Sequence, residues 1–373
     1  MLQATDEKLA VQRDTKHTKT ISLQWLRGVA ALMVVVYHAS IYLSRMNGSS
    51  WGLEIVPSWF GAVGVSLFFA LSGYLMARMM NKVSAGSFLL HRIIRIYPTY
   101  FFVIAVFLLV GTFSGLTPPI DIRALMLMPL GTGILYPLGV EWTLVFEIAF
   151  YVFVFFLILF KRQEHAASFL VGWLVLIFIM SFRWPEDPTT NFFKPSHLPF
   201  TALNVAFAAG MLLPLLKRFD VPHPILSAII AVGLFLLGVS NGIFTGRFAI
   251  GVASGLFVLS LARHPILSPY PGKEIIDKIG DRLGGYTYAL YLVHVPVIRT
   301  VLHVSDFQNP AHAFVAAVVL SVAVGVAVGE LDLFAYEKLK AKADRLPEHI
   351  KLIGSLSFVG GFIACAVTAT FWS

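Results

Sequence analysis

Long apolar runs separated by short polar stretches fill the sequence from about residue 26 to residue 371. Eleven of these runs approach or reach the roughly 20 residues that cross the hydrocarbon core of a bilayer. They are 26–44, 59–80, 97–115, 140–160, 168–184, 198–216, 224–241, 246–262, 284–302, 311–331 and 351–371. The pattern predicts an all-α bundle of about 10–11 transmembrane helices.

The start of the chain is polar over residues 1–20. The apolar run that follows is too long for the hydrophobic part of a signal peptide, and it lacks a clear small-residue cleavage site. We expect a cytoplasmic tail over 1–20 and a retained first helix. Stretches between the runs reach only about 20 residues, so 21–373 is expected to be one membrane domain without a fused soluble domain.

Residues 117–138, between the third and fourth runs, are harder to interpret. They begin Thr-Pro-Pro and later contain Pro129, Gly131, Gly133 and Pro137. Backbone broken by proline and glycine is tolerated at membrane depth only where it is buried in protein or lines a cavity. We therefore predict an outer or re-entrant segment here, and not a crossing.

The distribution of basic residues favours this topology. With a cytoplasmic N-terminus, the inner segments hold 22 of the 28 Lys and Arg residues. If 117–138 crossed, 13 of the basic residues after it would face outward and only four inward. Because Lys and Arg accumulate in cytoplasmic loops, the distribution predicts an inner N-terminus and an outer C-terminus.

Composition narrows the class of protein. Hydrophobic residues make up 57% of the chain and charged residues 13%, about half the usual share of a soluble protein. The mean hydropathy is +0.79. These values exclude a soluble globular enzyme, a disordered protein and a nucleic-acid-binding module. The single cysteine, Cys365, forms neither an intrachain disulfide nor a thiolate metal site, and we expect no metal.

Two titratable residues lie at similar depth in different apolar runs, where a charge costs a few kcal/mol. His38 follows Arg27 by eleven residues, so the two share one helix face and are about 16.5 Å apart along its axis. Glu147 is about 10 Å from the outer end of its run. Structural alternatives remain: Arg27 as an interface anchor, His38 as a hydrogen-bonded core histidine, and Glu147 as a neutral carboxyl.

A third titratable residue, His294, lies midway along the ninth run. It shares a stripe with Tyr288 and Tyr291, and Pro296 weakens the helix nearby. Core packing explains the tyrosines better than it explains the histidine. At the inner end of the third run, Arg92 and Arg95 are three residues apart and point to one side of a helix. They either follow the inward bias of basic residues or form a guanidinium pair for phosphate.

Five stretches in a fixed order resemble the membrane-bound acyltransferase 3 family, and within it the exopolysaccharide O-acetyltransferase type. They are Leu-Gln-Trp-Leu-Arg-Gly-Val-Ala-Ala at 23–31, Gly-Val-Ser-Leu-Phe-Phe-Ala-Leu-Ser-Gly at 64–73, Arg-Ile-Ile-Arg-Ile-Tyr-Pro at 92–98, Glu-Trp-Thr-Leu-Val-Phe-Glu-Ile-Ala-Phe-Tyr at 141–151 and Tyr-Leu-Val-His-Val-Pro at 291–296. The chain departs from many members at Glu330-Leu-Asp332 and Tyr336-Glu337-Lys338, which lack the Glu-Lys-Pro ending. No role is assigned to those acids.

The resemblance implies site residues. Arg27 and His38 match the family's arginine followed by a histidine, and Arg92 and Arg95 match its paired arginines. We expect His38 and Glu147 to be catalytic, with Glu147 orienting His38 or the acceptor, and Arg27, Arg92 and Arg95 to bind the donor. His38 would act as a base or form an acyl-histidine. The further candidates from the matching stretches are Ser72, Trp142, Tyr291 and His294.

The resemblance also implies a reaction: transfer of an acyl group, expected to be acetyl, from cytoplasmic acetyl-CoA to a carbohydrate hydroxyl. The expected partners are acyl-CoA, a carbohydrate acceptor, membrane lipid and other polysaccharide-assembly proteins, without nucleic acid. The expected location is the bacterial inner membrane. Two other functions remain open: a secondary transporter or flippase with a proton relay of the same residues, and a non-catalytic scaffold of an export complex. Inverted repeats, frequent in transporters, are not evident in the sequence.

Overall fold

A computed structural model describes residues 2–116, 121–131, 133–184, 194–216, 224–241, 243–263 and 273–372, and these contain helices and no strand. The helices are α1 (Leu2–Asn47), α2 (Trp51–Ile55), α3 (Trp59–Met79), α4 (Ala85–Ser114), α5 (Ile122–Met126), α6 (Trp142–Leu159), α7 (Ala166–Arg183), α8 (Asn204–Leu212), α9 (Pro224–Ser240), α10 (Ile243–Arg263), α11 (Lys273–Val304), α12 (Pro310–Asp344) and α13 (Glu348–Trp372).

The eleven apolar runs all contain a helix, which confirms the predicted all-α membrane fold. In the part of the chain that the structure describes, nine helices are long and apolar enough to cross a membrane, and the helices at 204–215 and 225–240 are shorter. Several helices extend beyond their apolar runs: α4 begins at Ala85 and α12 continues to Asp344. Helical backbone needs only compatible residues, whereas hydropathy detects only the apolar part of each helix. Among the predicted inner residues, Lys217, Arg218 and 264–272 lie outside the described residues.

Close helix packing brings α12 against α11. The sequence contains Gly325 and Gly329 one turn apart, a spacing that suits close helix packing but also occurs by chance. A Cβ at Gly325 would lie 2.7 Å from the side chain of Leu290, and a Cβ at Gly329 would lie 2.6 Å from the ring of Tyr286. Both glycines therefore serve this interface, because a larger residue would force the two helices apart.

The segment that precedes α6 is irregular and only partly buried. Apart from 117–120 and 132, which lie outside the described residues, 117–138 contains only the short helix α5. Tyr97 and Tyr100 of α4 donate hydrogen bonds to the carbonyl oxygens of Met126 (2.7 Å) and Ala124 (2.9 Å). The described residues thus form no crossing helix, and side chains of α4 satisfy two of their backbone carbonyl oxygens.

The turn into α6 is closed by a carboxylate. Glu141 is completely buried, and its side chain accepts hydrogen bonds from the backbone N–H groups of Leu138 (2.8 Å) and Val140 (2.9 Å). Gly139 has a φ of 78°, a conformation that favours glycine. The first turn of α6 therefore has a fixed start, and this places the α6 side chains that face the bundle interior.

Candidate active site

A cavity of about 220 Å³ lies among α1, α3, α4, α6, α11 and α12. Its wall combines apolar side chains with an unusual number of polar ones for a membrane interior. The polar lining consists of Arg27, Arg92, Arg95, Glu147, Ser72, Thr143, Thr287, Tyr151, Tyr288, Tyr291 and Tyr336. Six of the nine site residues expected from sequence, namely Arg27, Ser72, Arg92, Arg95, Glu147 and Tyr291, meet in this wall. We call Arg27, Arg92 and Arg95 the arginine region.

Arg95 is held by a buried carboxylate. Its Nη1 donates to Asp332 at 2.7 Å, and its Nη2 donates to the carbonyl oxygen of Gly285 at 3.3 Å. Thr99 donates to the second carboxylate oxygen of Asp332, and Asp332 is only 3% exposed. The charge of Arg95 is therefore balanced within the protein, and its guanidinium is fixed between α4, α11 and α12.

Arg92, one turn earlier on α4, has no such partner. In the described part of the chain it forms no ion pair with a carboxylate, and its buried Nε–H has no hydrogen-bond acceptor. Its Nη2 lies 3.0 Å from the sulfur of Met79, and its guanidinium lies over the rings of Phe88 and Tyr151 at 5.8 and 5.7 Å. Because buried donors are normally satisfied, Arg92 is the strongest candidate for contact with an anion.

Arg27 of α1 and Glu147 of α6 both line this cavity. Arg27 donates to Gln24 at 3.3 Å, and Glu147 accepts a hydrogen bond from Tyr151 one turn later on α6. Ser72 lies in the wall next to Tyr151. Two carboxyl groups accompany the three arginines: Glu147 in the cavity wall and Asp332 against Arg95.

His38 and His294 form a second polar centre, which we call the histidine pair. The Nε2 atom of His294 lies 3.2 Å from Nδ1 of His38, and the two ring centroids are 5.0 Å apart. His38 is half-buried, whereas His294 is fully buried. Neither histidine is among the described residues that line the cavity. The sequence indicated both residues as site candidates but did not predict that they contact each other.

Tyr291 separates the cavity from the histidine pair. Its ring lines the cavity and lies 5.6 Å from the ring of His294, one turn later on α11. Its hydroxyl donates to the carbonyl oxygen of Val140 at 3.0 Å and also contacts Thr143. Tyr291 is thus part of the cavity wall and also in contact with the histidine pair.

The expected pairing of Glu147 with His38 is not observed. In the described chain no hydrogen bond joins them, since Glu147 binds Tyr151 and His38 binds His294. Depth alone suggested that pairing, but the helix that packs against α1 at His38 is α11. Trp142 is also outside the cavity wall: it begins α6 and packs edge-on against Phe146 at 6.2 Å.

Six further polar residues of this site were missed by sequence reasoning. Asp332 was left without a role because it departs from the family ending, and Tyr288 was assigned to core packing. The other four resemble ordinary core residues in sequence: Thr143, Tyr151, Thr287 and Tyr336. A signal existed for Asp332, because an acid directly after the apolar run 311–331 needs a partner where it is buried. Arg95 is that partner.

A polytopic helical bundle with a cationic interior cavity beside a buried histidine pair defines a membrane-embedded protein with the features of an enzyme. A comparison with known protein families identifies the kind of enzyme. The chain belongs to the acyltransferase 3 family, because the model of that family, described as an acyltransferase domain, matches residues 20–330. This confirms the resemblance that the five stretches indicated.

Other comparisons add less. The chain is similar to "Protein 2 in picA locus" of Rhizobium radiobacter, with 37% identity over 112 residues, which is 27% of this chain and 52% of that protein. The chain thus spans about half the length of this curated relative. No solved structure matches the chain.

Proposed function

We propose that this protein is a membrane O-acyltransferase that moves an acetyl group from cytoplasmic acetyl-CoA to a hydroxyl of a cell-surface polysaccharide or its lipid-linked precursor. The observation that carries the proposal is an arginine-lined cavity whose wall contains a tyrosine in contact with the histidine pair. In this proposal the protein lies in the bacterial inner membrane with its N-terminus in the cytoplasm, so the arginine region faces the donor.

The donor side of the proposal rests on Arg92 and Arg27. Arginine presents several N–H groups that match phosphate oxygens, and neither residue is neutralised by a carboxylate ion pair among the described residues. The cavity, at about 220 Å³, is smaller than the roughly 300–1,000 Å³ of sites that enclose a drug-sized ligand. It therefore suits the pantetheine arm and a phosphate, with the nucleotide outside.

The chemical side of the proposal rests on His38. A neutral imidazole nitrogen takes the proton of the acceptor hydroxyl while the hydroxyl oxygen attacks the thioester carbonyl carbon. The carbon–sulfur bond then breaks, the acetyl group stays on the sugar oxygen, and the proton passes to the departing thiolate. Because neither histidine lines the cavity, the thioester reaches His38 only after the ring of Tyr291 moves aside.

The test of this function is acetyl transfer by the purified full-length protein. Radiolabelled acetyl-CoA and surface polysaccharide from cells without the protein are incubated with protein in lipid nanodiscs. We expect label on the polysaccharide together with free CoA, and equal label with the control His312→Ala, an exposed α12 residue. Movement of intact substrate across proteoliposomes without thioester cleavage would instead support the transporter hypothesis. Absence of both activities would support the scaffold hypothesis.

The proposed orientation has its own test. Single cysteines at Lys161 and Lys338 are expected to react only with a permeant thiol reagent in intact cells, whereas one at Leu135 reacts with an impermeant reagent. Cys365 is replaced by alanine beforehand, since it is the chain's only thiol. Labelling of position 161 from outside would show that 117–138 crosses and would place the arginine region on the wrong side for cytoplasmic CoA.

A further inference from the structure

The contacts of the histidine pair restrict where its ring hydrogens lie. Nδ1 of His38 is 3.0 Å from the carbonyl oxygen of Val34, and Nδ1 of His294 is 3.2 Å from the carbonyl oxygen of Leu290. A carbonyl oxygen only accepts hydrogen bonds. Each contact is favourable when the ring hydrogen is on Nδ1, so both neutral rings carry it there.

The contact between the rings is consistent with this assignment. Nε2 of His294, then a lone pair, accepts from Nδ1–H of His38 at 3.2 Å. If His38 carried its hydrogen on Nε2, its Nδ1 lone pair would face both the lone pair of His294 and the oxygen of Val34. In the reverse arrangement, Nε2–H of His294 would donate to Nδ1 of His38, and the Nδ1 lone pair of each ring would then face a backbone carbonyl oxygen. His294 therefore disfavours that second tautomer of His38.

We propose that His294 is a positioning residue that holds His38 with its hydrogen on Nδ1 and leaves the Nε2 lone pair free for the acceptor hydroxyl. The inference rests on the proposed function, in which His38 is the base. Among the described residues, Nε2 of His38 has no hydrogen-bond partner. The nitrogen that reacts is thus the one that the protein leaves open.

The same contact also serves the charged form of His38. When Nε2 takes the proton, Nδ1–H of the imidazolium still points at the oxygen of Val34 and at Nε2 of His294. Hydrogen bonds from a charged donor are about twice as strong as neutral ones. Full burial of His294 keeps its acceptor nitrogen from binding water instead. His294 acts on turnover through His38 and does not touch the substrate.

Two substitutions of His294 separate positioning from packing. Glutamine reaches the position of Nε2 with an amide oxygen that accepts from His38, whereas leucine fills the apolar surroundings but accepts nothing. We expect His294→Leu to lower kcat for acetyl transfer by about 10²-fold, and His294→Gln to stay within about tenfold of the wild type. The KM for acetyl-CoA is expected to change by less than about twofold in both. His303→Leu, an exposed histidine of the same helix, is the matched control and should turn over normally.

The outcomes decide between the two roles. Near-normal kcat in His294→Leu, or equal losses in the leucine and glutamine variants, would overturn the inference and leave His294 as a packing residue. His38→Ala and the wild type are measured in parallel. Absence of transfer by the wild type would refute the proposed function, and transfer by His38→Ala would refute the role of His38 as the base. An inactive His38→Ala beside an active His294→Leu refutes only this inference.

A spectroscopic measurement does not depend on the folding of any His294 variant. The wild-type protein with ¹⁵N-labelled histidine is compared by solid-state NMR with His38→Ala, which identifies the His38 signals among the eleven histidines. A protonated Nδ1 and an unprotonated Nε2 on His38 support the inference. The reverse pattern overturns it, because the lone pair would then point at His294.

Discussion

The arginine region and the histidine pair lie close together but hold opposite kinds of polar group. The arginine region lines a cavity with three permanent charges, one of which is neutralised by Asp332. The histidine pair is packed away from that cavity and satisfies its neutral rings with backbone oxygens and with each other. A site that binds an anion gains from fixed positive charge, whereas a base must stay neutral until it takes a proton. Physical separation allows one protein to provide both.

A smaller contrast divides the arginine region itself. Arg95 is fixed by Asp332, while Arg92 keeps an unsatisfied Nε–H next to the cavity. Two arginines three residues apart look equivalent in sequence. A guanidinium in a buried ion pair and one without a carboxylate partner nevertheless have different roles. We expect Arg95 to maintain the arrangement of the helices and Arg92 to hold the donor.

The largest expected effect is at the histidine pair. His38→Ala should reduce acetyl transfer by roughly 10²–10⁴-fold, because it removes the base while the cavity and its arginines remain. Membrane insertion and thermal unfolding in nanodiscs are expected to match the wild type, as is binding of acetyl-CoA. A folded variant with near-normal transfer would show that the two regions do not divide binding from chemistry.

The next effect concerns stability. Asp332→Ala leaves the guanidinium of Arg95 buried without a counter-charge, a change that typically costs about 3–5 kcal/mol. Glu330→Ala on the same helix is the matched control, since its pair with Arg282 is exposed and is worth at most about 1 kcal/mol. Thermal unfolding in nanodiscs measures both. Equal midpoints for the two variants would mean that the Arg95–Asp332 pair does not stabilise the fold.

Donor affinity should respond to Arg92. Loss of a charged hydrogen bond of about 1.5–3 kcal/mol predicts that Arg92→Ala raises the KM for acetyl-CoA by roughly 10- to 100-fold without changing the KM for the acceptor. Arg92→Lys keeps the charge but not the planar group, so its KM for acetyl-CoA should lie between those of the wild type and Arg92→Ala. Arg78→Ala, an exposed arginine outside the cavity wall, serves as the control. An unchanged KM for acetyl-CoA would mean that Arg92 only follows the inward bias of basic residues and does not bind the donor.

The smallest effect is expected at the boundary between the two regions. Tyr291→Phe removes the hydrogen bond to Val140 but keeps the ring that closes the cavity. A neutral hydrogen bond contributes about 0.5–1.5 kcal/mol, so turnover should change by less than roughly tenfold. Tyr291→Ala opens the cavity toward His294 and should increase CoA release without an acceptor. If neither variant alters the release of CoA without an acceptor, the ring of Tyr291 does not block the path from the cavity to the histidine pair.

Much of this arrangement could be predicted from the sequence. Hydropathy predicted the helices, and proline and glycine in 117–138 predicted an irregular segment. Arg27 and His38 were placed on one helix face because helical geometry fixes their relation within a single element. A charged group inside an apolar run drew attention to Glu147, and the paired arginines before another run drew attention to Arg92 and Arg95. These three residues meet in one cavity with Arg27.

The rest depended on relations between helices. His38 and His294 are 256 residues apart, and their depths in the membrane do not reveal how each helix is rotated about its axis. The same rotation decides that Glu147 faces Arg27 across the cavity instead of His38. Asp332 was set aside as a departure from the family ending, because only the packing of α12 on α4 shows that it neutralises Arg95.

One helix links the two regions mechanically. The carbonyl oxygen of Gly285 on α11 accepts from Arg95, and nine residues further along, about 13.5 Å, the same helix presents His294 to His38. A hydrogen-bonded helix resists stretching, so α11 acts as a strut that keeps the spacing of the two regions constant. Attempts to widen the donor site for longer acyl chains should therefore alter α3 or α6. A displacement of α11 would instead move His294 away from His38.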